Sequence, residues 1–262
     1  MKRVNKLPLT GECHHWTRLG EVPWDLQKYW QQRHTIFPYY NEGIYMTEAA
    51  WYGVTPEPVA NQIAREFSSI ISTSKNTVID LFAGVGANSI ALALDVLDDG
   101  TTPRWEKVIA IELDAATLAC AQHNAALHGV ADDIIWVLGD SFKYLDTLLN
   151  TPDKLEADLR VDVASTALFA SPPWGGPGYS TDEIFDLNTM EPYNLAQLHG
   201  AYQAMDHALY LPRTSDIRQI AKLAPDGAKI EVVQYCVQGA SKAMVAYIPA
   251  TTDDNDDTHM ET

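Results

Sequence analysis

Thr77-Val-Ile-Asp-Leu-Phe-Ala-Gly-Val-Gly-Ala-Asn-Ser-Ile-Ala-Leu-Ala-Leu94 changes its period half-way along, and that change decides the fold. Thr77 to Phe82 is β-branched and apolar with polar residues before it, the pattern of a buried parallel strand. Ala87 to Leu97 (ANSIALALDVL) reads as a helix. Between them Ala83-Gly-Val-Gly86 sets two glycines where the backbone must turn tightly and can approach a ligand. Asp80, near the strand's end, is placed to take an ammonium directly or through water. A Gly-x-Gly turn is weak evidence alone, because many strand-to-helix turns use glycine only for positive φ.

Two further strands follow. Lys107-Val-Ile-Ala-Ile-Glu112 closes on an acid, which in the second strand of such a unit can accept both hydroxyls of a ribose. The spacing from Gly86 to Glu112 exceeds that of the dinucleotide fingerprint, and the acidic insertion around Asp98-Asp99-Gly100 accounts for the excess. Ile134 to Leu138 ends in Gly139-Asp140-Ser141-Phe142, where Asp140 can accept a hydrogen bond from an adenine amino group. Glycine turn, ribose acid and adenine acid, on three successive strands, describe an adenosine-containing cofactor across a doubly wound sheet. Ser89 stands where a third glycine would favour a nicotinamide dinucleotide, and no Gly-x-x-x-x-Gly-Lys-Ser/Thr loop for ATP occurs. S-adenosylmethionine is the cofactor that fits.

The apolar run Val163 to Ala170 reads as another buried strand, and Ser171-Pro-Pro-Trp174 with Gly175-Gly-Pro177 follows at once. Two consecutive prolines force a stiff extended exit. Such a loop holds a hydroxyl, unpaired backbone carbonyls and an indole face at the strand's carboxyl end. These groups suit a flat heterocycle with an exocyclic amine: Trp174 stacks on the ring, while Ser171 and a Pro172 carbonyl accept the amine hydrogens. The competing reading is a turn with a core tryptophan.

Length and charge narrow the class. At 262 residues the chain suits one large α/β domain with a small appendage. Its net charge of −17 argues against a protein that coats nucleic acid non-specifically. Removing the five acids of Thr251 to Thr262, read as a solvated acidic tail, still leaves −12. A nucleic-acid ligand is therefore gripped by a few aimed cations and one well-held base. No apolar stretch suits a membrane span and no signal peptide is visible. Three cysteines without Cys-x-x-Cys spacing suggest reduced thiols in an intracellular protein, with Cys120 and Cys236 as small core residues. Cys13-His-His15 lacks a fourth ligand, so no metal is expected.

The organisation reads as an arm over 1–23, flexible or ordered on contact, then a helical region over 24–72. A methyltransferase-like core spans 73–250 and a disordered tail 251–262. In the helical region, periodicity predicts a helix from Trp24 to Phe37 and another from Val54 to Ile71, capped by Thr55 with Pro56 at its first position. The core is expected to be a Rossmann-like parallel sheet with right-handed crossovers. Towards its end come a roughly helical Glu191 to Ala208, a short strand Ala208 to Leu211 and a helix capped by Ser215. An antiparallel hairpin, Lys229 to Val237 and Lys242 to Ile248, closes the sheet.

Several of these segments together resemble trimethylguanosine synthase catalytic domains, which are class I methyltransferases. They are Lys28-Tyr-Trp-Gln-Gln-Arg-His-Thr-Ile-Phe37, Asn41-Glu-Gly-Ile44, Thr55-Pro-Glu57, Asp80-Leu-Phe-Ala-Gly-Val-Gly-Ala-Asn88, Ser171-Pro-Pro-Trp-Gly-Gly-Pro177 with Tyr179, and Leu211-Pro-Arg213. The match runs from about Trp24 to Ile248. It implies methyl transfer from S-adenosylmethionine to the exocyclic N2 of 7-methylguanosine caps on small nuclear and nucleolar RNAs, twice, giving the 2,2,7-trimethylguanosine cap. It also implies cofactor contacts at Thr55, Asp80, Phe82, Gly84, Gly86, Asn88, Glu112, Asp140 and Ser141. The amine would be held by Ser171, Pro172 and Trp174, and the cap by Trp174, Tyr179, Lys28, Arg33 and Arg213. A nuclear monomer, in the nucleolus or related bodies and also in the cytoplasm, and ribonucleoprotein proteins as partners are further expectations. The alternatives are an amino-methyltransferase for an internal RNA or DNA base, and a non-catalytic cap-binding relative.

Overall fold

The computed structural model describes residues 1–176, 183–237 and 239–251. Seven strands form one sheet: β1 Thr77–Asp80, β2 Lys107–Glu112, β3 Ile134–Leu138, β4 Thr166–Ala170, β5 Asp206–Pro212, β6 Glu231–Val237 and β7 Ala240–Ile248. Their order is β3-β2-β1-β4-β5-β7-β6. The first five strands run parallel, and β7 enters antiparallel between β5 and β6. The expected closing hairpin is therefore present. From β1 the chain winds outward through β2 to β3, then returns to pair β4 on the other side of β1. A crevice opens at the carboxyl ends of β1 and β4, where the winding reverses.

Alternation along the strands explains why both faces are covered. Val78, Val108 and Ala110 point into one apolar layer, with Ala60, Phe67 and Ile90 from α3 (Glu57–Ile70) and α4 (Ala87–Leu94). Ile79, Ile109 and Ile111 point into the other, with Tyr144, Leu145 and Leu198 from α6 (Ser141–Asn150) and α7 (Leu195–Tyr202). Strands buried on both faces carry near-continuous β-branched sequence for this reason.

The amino-terminal part departs most from expectation. Its first helix is broken into α1 (Gln27–Trp30) and α2 (Arg33–Ile36). The bend between them lets Leu26, Trp30, Ile36 and Phe37 all enter one aromatic cluster with Trp16, Tyr40 and Trp51. Nor is the arm free. Arg3 bridges Val137 on the edge strand β3, and the Val4 amide donates to the Trp136 carbonyl at 2.9 Å. His14 and Met46 exchange two backbone bonds, and Cys13 is buried against α5 (Ala115–Leu127). The arm is thus packed against β3 and the aromatic cluster.

Smaller corrections follow the same logic. Thr55 does not cap α3; Pro56 holds that position and the Thr55 hydroxyl turns inward. Val163–Ser165 is a 3-10 turn capped by the Asp162 carboxylate, so β4 starts only at Thr166. Helix α7 is shorter than the roughly helical Glu191 to Ala208, because β5 already begins at Asp206. Asp216, not Ser215, caps α8 (Ile217–Ala221), since the Ser215 hydroxyl donates to the Pro212 carbonyl. Cys120 is in the core as expected, whereas Cys236 on the outermost strand β6 is exposed. The tail beyond residue 251 and Tyr179 lie outside the described residues. No helix among the described residues is long and apolar enough to cross a membrane.

Candidate active site

After β1 the chain stays tied to both neighbouring strands while it turns. The Leu81 amide donates to Phe169 of β4, and the Ala83 amide to Ile111 of β2, each at 2.9 Å. Gly84 and Gly86 then take positive φ of 55° and 95°, which L side chains rarely adopt. At Gly86 a Cβ would also sit 3.2 Å from the backbone of Ala121, so this glycine brings α4 close to α5. Asp80 lies beneath the turn and is fully buried. It accepts the Ser89 hydroxyl at 2.6 Å and the Phe82 amide at 3.3 Å. Burial pushes its carboxyl up to about 6 despite those two bonds.

Glu112, at the tip of β2, reaches across to the glycine turn. One carboxylate oxygen accepts the Gly84 amide at 2.9 Å, the other the Leu113 and Asp114 amides at 2.8 and 2.9 Å. Burial raises this carboxyl against the pull of the three amides. Asp140, after β3, caps α6 through Oδ1. On the other side, the Asn88 amide group donates to the Thr55 hydroxyl at 3.0 Å. Its buried Oδ1 has no partner among the described residues.

These pieces border one crevice. A cleft of about 510 Å³ is lined by Phe82, Gly84, Glu112, Asp140 and Ser141 at one end and by Ser171, Pro172 and Trp174 at the other. An adjoining hollow of about 220 Å³ shares Phe82, Gly84 and Ser171 with it and adds Thr55 and Asn88. The volume is that of a small-molecule site. The donor set fits S-adenosylmethionine: a carboxylate for a ribose diol, an acid beside an adenine edge, and an unpaired amide oxygen for an ammonium. The Trp174 indole is fixed from behind by Tyr210, with ring centroids 5.6 Å apart and planes inclined by 15°.

The expected residues divide into three groups. Thr55, Phe82, Gly84, Asn88, Glu112, Asp140, Ser141, Ser171, Pro172 and Trp174 line the crevice. Asp80 and Gly86 stand behind its wall and shape the turn. Lys28, Arg33 and Arg213 do not line it. Lys28 Nζ lies 4.7 Å over the Tyr29 ring, and the Arg33 guanidinium 3.8 Å over Trp30. Arg213 follows β5 at the same sheet edge as Ser171. Tyr52 and Tyr193 are cleft walls that sequence reading did not single out. Tyr193 packs 4.4 Å from Phe142. Tyr52 lies in an aromatic-rich stretch, Tyr39 to Gly53, which is the one signal that could have found it, and nothing local marks Tyr193. Among the described residues no cluster of three or more His, Cys, Asp or Glu could hold a metal.

Comparison with known proteins bears on the family and the fold. The model of a family described as RNA cap guanine-N2 methyltransferase matches residues 75–251. A trimethylguanosine synthase of Schizosaccharomyces pombe is 32% identical over 229 residues, covering 86% of this chain and 87% of that protein. Another from Saccharomyces cerevisiae is 28% identical over 246 residues, covering 88% and 72% respectively. Among solved structures, an inferred methyltransferase of Porphyromonas gingivalis W83 superposes with a TM-score of 0.57 at 15% identity. It covers 89% of this chain and 52% of that one, a likeness of fold.

Proposed function

The chain belongs to the family of RNA cap guanine-N2 methyltransferases, and we propose that its substrates are the 7-methylguanosine caps of small nuclear and nucleolar RNAs. It is an S-adenosylmethionine-dependent enzyme acting on the exocyclic N2 of the cap guanine. Two rounds give the 2,2,7-trimethylguanosine cap. Nuclear residence, a monomeric state and ribonucleoprotein partners belong to the same proposal and rest on the resemblance to trimethylguanosine synthases.

One observation carries the reading. The rigid Ser171-Pro-Pro-Trp174 exit from β4 shares a cleft with Glu112, Asp140 and the glycine turn. Glu112 and Asp140 would hold the ribose and adenine ends of S-adenosylmethionine, and Asn88 with Thr55 its amino-acid end. When bound, that group supplies an electrophilic methyl on a sulfonium. An exocyclic guanine amine is a poor nucleophile because its lone pair is delocalised into the ring. Ser171 Oγ and the Pro172 carbonyl accept its two hydrogens and draw it towards a pyramidal, more nucleophilic geometry. The amine keeps its protons until after attack, so no strong base is needed and alignment supplies much of the rate. Methylation at N7 makes the purine cationic, and a cation over an indole gains about 0.5 to 2 kcal/mol. Preference for the 7-methylated cap follows from Trp174.

Arg213, Lys28 and Arg33 are the proposed phosphate ligands, and Tyr179, outside the described residues, is a further proposed cap-binding residue. The RNA identity is tested by capturing trimethylguanosine-capped RNA from cells with and without this protein. Selective loss of small nuclear and nucleolar species supports the assignment, and an unchanged captured pool refutes it.

A further inference from the structure

Outside the cleft, one large aromatic side chain stands out among the described residues by its exposure. Trp24 is 86% exposed, whereas tryptophan is among the more deeply buried residues on average. It does not sit on a loose segment. The Leu26 amide closes a turn on the Pro23 carbonyl at 2.9 Å, and Trp24 occupies the turn's second position. Asp25, next in the turn, accepts the Tyr52 hydroxyl at 2.7 Å. Tyr52 is a wall of the cleft. The indole is therefore displayed on a turn pinned to the mouth of the site.

Its surroundings suit a polyanion bearing bases. Tyr29 packs edge-on against Tyr52, with centroids 5.2 Å apart, and carries Lys28 Nζ over its ring. In a chain that is strongly acidic overall, Lys28 is a cation set beside these rings. Single-stranded RNA is held in general by bases stacked on aromatic rings beside a cation.

We propose that Trp24 is a stacking platform for the base of a nucleotide downstream of the cap, the RNA leaving the cleft past Tyr52 and Lys28. This rests on the cap-methylation reading. It makes the amino-terminal turn a second point of substrate grip, independent of the cap base held by Trp174.

The test compares 7-methylguanosine diphosphate with a 7-methylguanosine-capped oligoribonucleotide in steady-state methylation. Wild-type turnover of both establishes the reaction class separately. Trp24→Ala should raise KM for the capped oligoribonucleotide roughly tenfold and leave KM for 7-methylguanosine diphosphate unchanged. Trp24→Phe should restore most of the loss, because any aromatic face can stack. Equal effects on both substrates, or no effect on either, overturn the proposal while leaving cap methylation intact.

Discussion

The indole of Trp174 lies nearly parallel to the ring of Tyr210, and its Nε1–H donates to the Tyr210 carbonyl oxygen at 3.3 Å. A residue on β5 thus fixes the plane of a platform that leaves β4. Pinned on one side by a ring and at its edge by a carbonyl, the indole loses little further entropy when a base settles on it.

Trp174→Ala should lower kcat/KM for the 7-methylated cap roughly 10- to 1,000-fold, from stacking and cation–π contributions together. Affinity for S-adenosylmethionine should stay within about twofold in calorimetry, since the cofactor side of the cleft is untouched. Near-normal turnover would remove Trp174 from the reaction.

Asn88→Ala deletes the buried Oδ1 that lacks a partner and strands the Thr55 hydroxyl. Loss of such a bond costs about 1 to 3 kcal/mol, so the cofactor Kd should rise roughly 5- to 150-fold. Cap-analogue binding should not change. An unaltered cofactor Kd would place the ammonium elsewhere.

The two glycines of the turn should not be equivalent. Gly84→Ala meets open space and carries only backbone strain, about 1 to 2 kcal/mol. Gly86→Ala adds a clash with Ala121 and should cost about 1 to 3 kcal/mol more. Urea unfolding of both variants reads the difference, and a reversed order would contradict the assigned packing.

Asp80 imposes a pH dependence. Its folded carboxyl is pushed up to about 6, above the ordinary 3.8. Its contribution is therefore fully present below pH 3.8 and is lost as pH rises through 6. His207, fully buried, is pushed down to about 4 and acts oppositely, destabilising as pH falls from 6.5. Comparison with Asp80→Asn isolates the carboxyl. The variant's stability relative to wild type should rise by about 3 kcal/mol from well below pH 3.8 to well above pH 6. A flat difference would mean the carboxyl is solvated.

What could be read from the sequence is what local chemistry determines. Strands β1 to β4 announce themselves because burial on both faces demands continuous apolar runs. Glu112, Asp140 and Ser171 are legible because they stand just at or beyond the ends of those runs, where the crevice opens. The arm was not, since Val4 finds Trp136 and His14 finds Met46 across long separations that no local period encodes. Trp24 to Phe37 kept its apolar spacing across a bend because both halves feed one cluster. Tyr193 reaches the cleft by packing on Phe142 and Phe82, contacts distant in sequence. Ser215, the expected cap, yields to Asp216 because its hydroxyl is engaged by the Pro212 carbonyl, a contact no local pattern encodes.

Mass spectrometry of a 7-methylguanosine cap analogue, incubated with the protein and S-adenosylmethionine beside its unmethylated counterpart, tests the central claim most directly. Gains of one and then two methyl groups on the 7-methylated compound alone are the predicted result. Equal methylation of both compounds, or none on either, would contradict a site built to hold a cationic purine against Trp174.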